Sequence, residues 1–144
     1  MPANKDSIIK EVMPVFEAIT RYTAAAQADS LLKSYADIPD FLHISSDGTV
    51  RDYAGFKKVC GEYYETVKEQ KLTKTRDVFQ VLDDSTVLLC WSGNIDAHIK
   101  NGGIMKLTNY TVTFLFKKIN GEWKVIHSHE SAPPPQMMKE QKPR

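Results

Sequence analysis

The chain of 144 residues has little cysteine, little excess charge and no long apolar run. Its two cysteines, Cys60 and Cys90, cannot build a disulfide framework, and each lies within an apolar pattern, so we expect two small core residues. A formal net charge of +1 leaves no basic excess for a nucleic-acid or anionic-membrane surface. No stretch approaches the ~18 consecutive apolar residues that a membrane span needs.

Length and composition favour one domain with its own core. The hydrophobic fraction of 42% is typical of a globular chain of this size. We predict a single domain over residues 1–132, followed by a proline-rich, exposed tail over residues 133–144, where no apolar period continues. Residues 1–10 show no charged segment followed by an apolar run, so a secretion signal is not visible and we expect a cytoplasmic location.

Helical periodicity marks three segments of the first half of the chain. The first segment runs from Ile8 to Thr23, with Asp6 or Ser7 as its N-cap, and a short second helix follows Asp29 as its cap. A third helix begins after Asp52, and its apolar residues follow three- and four-residue steps without a miss: Phe56, Val59, Cys60, Tyr63, Tyr64 and Val67.

The second half switches to the alternating pattern of strands. We predict a short hairpin, Phe41–Ser45 with Thr49–Asp52, and four further strands joined by tight, turn-like connectors. Connectors this short imply antiparallel neighbours, and strands this long must bend, with Gly93 suited to a bulge. The four strands are Thr73–Leu82, Thr86–Lys100, Ile104–Lys118 and Glu122–Ser131.

Helices followed by an antiparallel meander predict an α+β fold with the helices covering one face of a curved sheet. Both faces of the predicted strands carry apolar side chains: Leu89 and Trp91 lie on one face, and Leu88 and Cys90 on the other. Since the helices can cover only one face, we predict that a second copy covers the other. The expected partner is therefore the chain itself, in a homodimer formed through the sheet.

Two local motifs accompany this order of elements, the segment from Asn120 to Pro133 and the passage from Tyr35-Ala36-Asp37 to Asp47-Gly48. Together with the order of the elements, they resemble the SnoaL-like, or nuclear transport factor 2-like, superfamily. The segment from Asn120 to Pro133, with Gly121-Glu122-Trp123 and then His127-Ser128-His129, resembles the last strand of the calcium/calmodulin-dependent protein kinase II association domain and its bacterial stand-alone relatives. This resemblance implies a cystatin-like cone: three helices packed on a strongly curved, mostly antiparallel sheet, with an apolar pocket at the open end. It implies no particular reaction, since the same fold serves many functions.

His43 is the candidate catalytic residue. Tyr35-Ala36-Asp37 resembles a run in ketosteroid isomerase that is followed, eight positions after its tyrosine, by the catalytic aspartate, and here that position is His43. An imidazole there is suited to general-base chemistry. The alternative is a histidine at the pocket rim that only forms structural hydrogen bonds.

His127 and His129 alternate along the last strand and should point the same way as Trp123. Two histidines at this spacing can bind zinc, but no third ligand is brought near by spacing, so we expect no metal and no cofactor. The resemblance implies a pocket arginine near the position of Thr113, as in the kinase domain. Because this chain has threonine there, we do not expect it to bind an anion through that position. The ligand-binding candidates are His43, Tyr63, Trp91, Thr111, Thr113 and His129.

Three functions remain open from the sequence. The first is binding of a small, largely apolar ligand in the cone pocket. The second is an isomerase or polyketide-cyclase-like enzyme that uses the pocket histidine as general base. The third is a non-catalytic oligomerisation domain.

Overall fold

The computed structural model describes residues 4–139. Within that range the chain forms three helices, α1 (Lys5–Ala24), α2 (Ala28–Leu32) and α3 (Tyr53–Thr66). Seven strands complete the fold: β1 (Leu42–Ile44), β2 (Val50–Arg51), β3 (Val67–Asp83), β4 (Thr86–Ile99), β5 (Ile104–Ile119), β6 (Glu122–Ser131) and β7 (Gln136–Met138). The predicted α+β architecture, with a mostly antiparallel curved sheet, is confirmed.

All seven strands belong to one sheet, in the order β2-β1-β6-β5-β4-β3, with β7 paired to β5. The pair β1–β6 is parallel and the other pairs are antiparallel. Because β1 is inserted beside β6, the short hairpin that carries His43 lies against the strand that carries the His127–His129 motif. This adjacency is what assembles the polar part of the site described below.

The helix starts differ in part from the prediction. Asn4, rather than Asp6 or Ser7, caps α1, and its side-chain oxygen accepts the Asp6 backbone N–H at 2.9 Å. The predicted Asp29 cap of α2 is also wrong, since that helix begins at Ala28 and its N-cap residue, Gln27, forms no side-chain cap.

The start of α3 is as predicted. Asp52 occupies the N-cap and accepts the backbone N–H of Gly55 at 2.9 Å. This cap satisfies one of the free donors of the first turn and fixes the chain where β2 ends.

Helix α1 lies along the concave face of the sheet. The Phe16 ring meets Phe79 of β3 and Phe114 of β5 edge-on, at centroid distances of 6.3 and 6.1 Å. One helix therefore contacts both strands that flank β4, which requires the sheet to curve around it. The core beneath includes the fully buried side chains Val12, Phe41, Val87, Leu89, Phe116 and Val125.

The curvature coincides with breaks in strand register. One break lies between Gly93 and Ile95 of β4, where β5 contributes the extra residue and Asn109 has a φ of 54°. A Cβ at Gly93 would lie 2.3 Å from the carbonyl oxygen of Thr73, so only glycine permits this approach of β3 and β4. The predicted irregularity at Gly93 is confirmed.

The cysteines lie on opposite sides of the sheet, and both are free. Cys60 is buried among the helices, where burial raises the pKa of its thiol to about 12. Cys90 is half-buried on the outer face, so only Cys60 fits the predicted core role closely.

The predicted tail over residues 133–144 falls partly outside the described residues. Its described part is exposed, as expected, but Gln136–Met138 adds the edge strand β7 beside Ile104–Lys106, which the sequence pattern does not predict. Among residues 4–139, no helix is long and apolar enough to cross a membrane.

Candidate functional site

A cavity of about 410 Å³ lies between the helices and the concave face of the sheet. This volume falls in the range of roughly 300–1,000 Å³ that is usual for small-molecule sites. Aromatic and aliphatic side chains form most of its wall, including Phe16, Ile19, Leu31, Trp91, Val112 and Phe114. Polar side chains are grouped at two places within it.

His43 belongs to the first polar group. Strand β1 places it beside Ser128 of β6, and its Nδ1 lies 2.6 Å from the Ser128 Oγ. The imidazole ring also packs on Phe56 at 4.5 Å, and the residue is only 5% exposed. The predicted pocket position of His43 therefore agrees with the structure, whereas its catalytic role stays a prediction.

Burial lowers the pKa of His43 to about 4, with a further contribution from the positive charge of Arg51. Loss of hydration disfavours the imidazolium form, and the nearby guanidinium repels it. At neutral pH the ring is therefore neutral. It is a hydrogen-bonding group and only a weak proton acceptor.

Glu130 completes this group and was not predicted from the sequence. Its Oε1 accepts the Tyr110 hydroxyl at 2.8 Å, and its Oε2 lies 3.9 Å from His43 Nε2, which is too long for a direct hydrogen bond. Burial raises the pKa of Glu130, while the hydrogen bond from Tyr110 and the charge of Arg51 lower it in part. We call Ser128, His43, Glu130 and Tyr110 the acidic cluster.

Arg51 brings a positive charge to the rim of the acidic cluster. It lies opposite His43 in the β1–β2 ladder, and one of its guanidinium nitrogens donates to the Ser45 hydroxyl at 2.7 Å. Within residues 4–139 no carboxylate comes within ion-pair distance of it. A cation therefore faces this pocket from β2.

The second polar group is centred on Gln70 of β3. The Tyr63 hydroxyl donates to Gln70 Oε1 at 2.7 Å, and Gln70 Nε2 donates to the Thr23 carbonyl at 2.9 Å. Burial raises the pKa of Tyr63 to about 12. Tyr63 thus lines the cavity as predicted, but its hydroxyl donates its proton to Gln70 and not to a ligand.

Trp91 forms part of the cavity wall, as predicted. Its ring meets Tyr110 at 6.2 Å in an edge-on arrangement and is 6% exposed. Trp91 is therefore a natural fluorescent reporter for anything that enters the cavity.

The structure does not bring Thr111, Thr113 or His129 into the cavity. Val112 and Phe114 point inward along β5, so the two threonines between them face outward, and Thr113 lies opposite His129. These three candidates lie on the outer face of the sheet. This corrects their predicted placement in the pocket.

A β-bulge explains why the alternation predicted for the last strand fails. Leu115 pairs with His127 but Phe116 pairs with Val125, so Ile126 is an extra residue. The inward side changes there from the odd-numbered Val125 to the even-numbered Ser128 and Glu130. The predicted single row from Trp123 through His129 is therefore wrong.

No group of three or more His, Cys, Asp or Glu side chains with metal-binding geometry occurs in the part of the chain that the structure describes. His127 and His129 share the outer face, but no third ligand joins them. The described polar side chains of the cavity are hydrogen-bonding groups, and one of them, Glu130, is a carboxyl with a raised pKa.

This curved sheet, with a cavity between it and the helices, is the fold of the nuclear transport factor 2-like group. Residues 12–135 match the family model of the SnoaL-like domain, so the chain belongs to the SnoaL-like domain family. The resemblance noted from the sequence is confirmed. No curated protein matches the chain.

Solved structures extend this similarity across the whole fold. A candidate aromatic ring hydroxylase from Novosphingobium aromaticivorans is similar with a TM-score of 0.79 and 12% identity, over 94% of this chain and 96% of that one. A candidate dehydratase of the NTF2-like family from Streptomyces avermitilis gives 0.77 and 14%, over 90% and 99%.

A candidate calcium/calmodulin-dependent protein kinase II association domain from Xanthomonas campestris gives a TM-score of 0.73 and 21% identity, over 93% of this chain and 92% of that one. At such identities the similarity establishes the fold. The three proteins carry three different functional names, so function has to be argued from the site.

Proposed function

We propose that this protein binds a small, largely apolar ligand in the cone cavity, with the ligand's polar end at the acidic cluster. The observation that carries the proposal is the cavity itself: about 410 Å³, walled mostly by apolar side chains, with His43, Tyr110 and Glu130 converging at one place. A small number of polar groups in a mostly apolar cavity is typical of small-molecule binding sites.

Binding can be tested with tetralin and 1-tetralone, a matched pair of small bicyclic probes with and without a carbonyl oxygen. We expect each to quench or shift the fluorescence of Trp91 and to raise the melting temperature as its concentration increases. Leu107 lines the cavity, and its replacement by Trp should reduce the available space. The probe concentration needed for either effect should then rise at least tenfold. The matched change Leu82→Trp, at a 59% exposed position, should leave that concentration unchanged.

Absence of binding by both probes, or equal binding by the Leu107→Trp variant, would contradict the proposal. The first result would leave the cavity without a demonstrated occupant. The second would show that the probes bind elsewhere on the protein.

Acid–base catalysis is a second candidate, and Glu130 is the observation that favours it. A buried carboxylate with a raised pKa is a better proton acceptor near neutral pH than His43, whose pKa is lowered to about 4. We therefore assign the general-base role to Glu130 and a positioning role to His43. An isomerase- or cyclase-like reaction on an enolisable carbonyl compound fits this arrangement.

Deuterium exchange tests this second candidate without knowledge of the natural substrate. Glu130 would take the proton from the carbon next to the 1-tetralone carbonyl, and the electron pair of the broken C–H bond would form the enolate. The carboxyl proton would exchange with D₂O, and Glu130 would return a deuteron to the same carbon, which restores the ketone and the carboxylate. We expect exchange in D₂O above the uncatalysed rate with the wild type and not with Glu130→Gln. His129→Gln, on the outer face, should retain it, and exchange by Glu130→Gln at the wild-type rate would rule out this role.

We also propose that a second copy covers the outer face of the sheet. Leu88, Cys90 and Leu115 give that face an apolar strip, which the helices on the opposite side cannot cover. Light scattering on the purified protein would detect the dimer. A monomer at micromolar concentration would contradict the dimer. The cytoplasmic location stays a separate prediction.

A further inference from the structure

Tyr35 lies between α2 and β1, and its position is fixed on two sides. Its backbone forms a parallel bridge to Val125 of β6, which holds the segment against the sheet. Its ring packs on Phe56 at 4.9 Å and on Phe41 at 6.1 Å, and the residue is 6% exposed. The side chain is therefore locked by its neighbours, while the residue lines the cavity.

The Tyr35 hydroxyl has no hydrogen-bond partner among residues 4–139. Each of the other three cavity tyrosines has a side-chain partner. Tyr63 donates to Gln70, Tyr110 donates to Glu130, and the Tyr64 hydroxyl accepts from Gln70 Nε2 at 3.5 Å. The fully buried side-chain atom without a partner in this part of the chain is Trp123 Nε1 and not the Tyr35 oxygen, so the Tyr35 hydroxyl is accessible from the cavity that the residue lines. Tyr35 is thus an unused donor inside an apolar cavity.

The hydroxyl remains a neutral donor over the physiological pH range. Burial raises the pKa of Tyr35 well above its usual value, and Tyr64, Cys60 and Glu130 add to this effect. All three of these residues line the same cavity. The proton of Tyr35 is therefore available to a ligand beside the acidic cluster.

We propose that the Tyr35 hydroxyl is the specificity-determining donor of the cavity and binds a neutral oxygen acceptor, such as a carbonyl, on an otherwise apolar ligand. Glu130 disfavours an anionic group at this place, since two negative charges would share a poorly hydrated space. This inference rests on the proposed function and narrows it to a class of ligand: small, apolar molecules with one neutral oxygen acceptor.

Tyr35→Phe tests the proposal because it removes the hydroxyl and keeps the ring. Calorimetric titration of the wild type and the variant with 1-tetralone and tetralin gives four affinities. We expect the variant to bind 1-tetralone about threefold to tenfold more weakly, as the loss of one neutral hydrogen bond implies. Tetralin has no oxygen, so its affinity should change by less than about twofold.

Tyr53→Phe is the matched control. Tyr53 packs on Phe41 in the same aromatic group but does not line the cavity, so the loss of its hydroxyl should leave both affinities unchanged. Equal weakening of both probes by Tyr35→Phe, or no weakening of either, would overturn the role of Tyr35 and leave the proposed function standing. Failure of both probes to bind the wild type would overturn the proposed function and this inference together.

Infrared spectroscopy provides a readout that does not depend on the folding of the variant. The carbonyl stretch of 1-tetralone bound to the wild-type protein should lie at lower frequency than in a hydrocarbon solvent, because a hydrogen bond weakens the C=O bond. A frequency equal to that in hydrocarbon would show that no donor reaches the oxygen and would overturn the proposal.

Discussion

The two faces of β4 differ although their residues alternate along one strand. Val87, Leu89 and Trp91 point inward and are 0–6% exposed, whereas Leu88 and Cys90 between them are half-buried on the outer face. Both sets are apolar, so composition does not distinguish them. What distinguishes them is that the three described helices all pack on the inner side.

Strand β6 shows the same contrast with polar residues. Ser128 and Glu130 point into the cavity and join His43, while His127 and His129 lie on the outer face. The difference between a site residue and a surface residue on this strand is one position along the chain. A bulge of a single residue therefore decides which groups meet the cavity.

Neighbouring leucines of β4 provide the strongest test of this contrast. Leu89 is 0% exposed, so Leu89→Ala should lower the free energy of unfolding by about 3 to 4 kcal/mol through lost contacts and a new void. Leu88→Ala on the outer face should cost about 1 kcal/mol or less. Urea unfolding of the wild type and both variants measures the two costs.

Equal costs for the two leucines would contradict the assignment of the faces. A larger cost at Leu88 that depends on protein concentration would instead indicate that a second copy covers the outer face. The pair of variants thus also tests the proposed homodimer.

The elements were predictable because each depends on local pattern. The steps from Phe56 to Tyr64 define α3, its cap at Asp52 is a local signal, and the turn at Asn120-Gly121 marks a hairpin. These patterns, with the Gly121–His129 motif, predicted the fold. The edge strand at Gln136–Met138 was missed because it has no apolar alternation and depends only on pairing with β5.

The site was only partly predictable because it depends on register. His43, Tyr63 and Trp91 line the cavity, whereas Glu130 also lines it without having been predicted and His129 lies on the outer face. A count by twos from Trp123 leads to His129, and only the pairing of β6 with β5 reveals the extra residue. Tyr35 was noted as part of a motif, but its unpaired hydroxyl emerges only from the packing of three elements.

Gly93 tests the close approach that curves the concave face. A Cβ there would lie 2.3 Å from the Thr73 carbonyl oxygen and 2.7 Å from the Trp91 ring, so β3 must move away from β4. We expect Gly93→Ala to lower the free energy of unfolding by about 2 to 3 kcal/mol. Gly61→Ala in α3 is the control, since nothing lies within 4 Å of its added Cβ.

The control should stabilise the protein slightly, because alanine favours a helix by up to about 1 kcal/mol over glycine. Urea unfolding of both variants separates the two effects. If Gly93→Ala were as stable as the wild type, the close approach of β3 and β4 would not constrain the sheet.

The inward position of His43 also predicts how stability depends on pH. Its pKa is about 4 in the folded chain and about 6.5 when unfolded, so the unfolded state binds the proton more readily between these values. Stability from this residue is complete above pH 6.5 and is lost as the pH falls toward 4. From pH 7 to 4.5 the loss amounts to about 2 kcal/mol.

His43→Asn isolates this contribution, because asparagine keeps a polar group near Ser128 but does not titrate. Urea unfolding at pH 7 and pH 4.5 should show a decline about 2 kcal/mol smaller in this variant than in the wild type. The raised pKa of Glu130 acts in the opposite direction and is common to both proteins, so it cancels in the comparison. An equal decline in the two proteins would mean that His43 is hydrated in the folded state, and the acidic cluster would then lose the burial on which its chemistry depends.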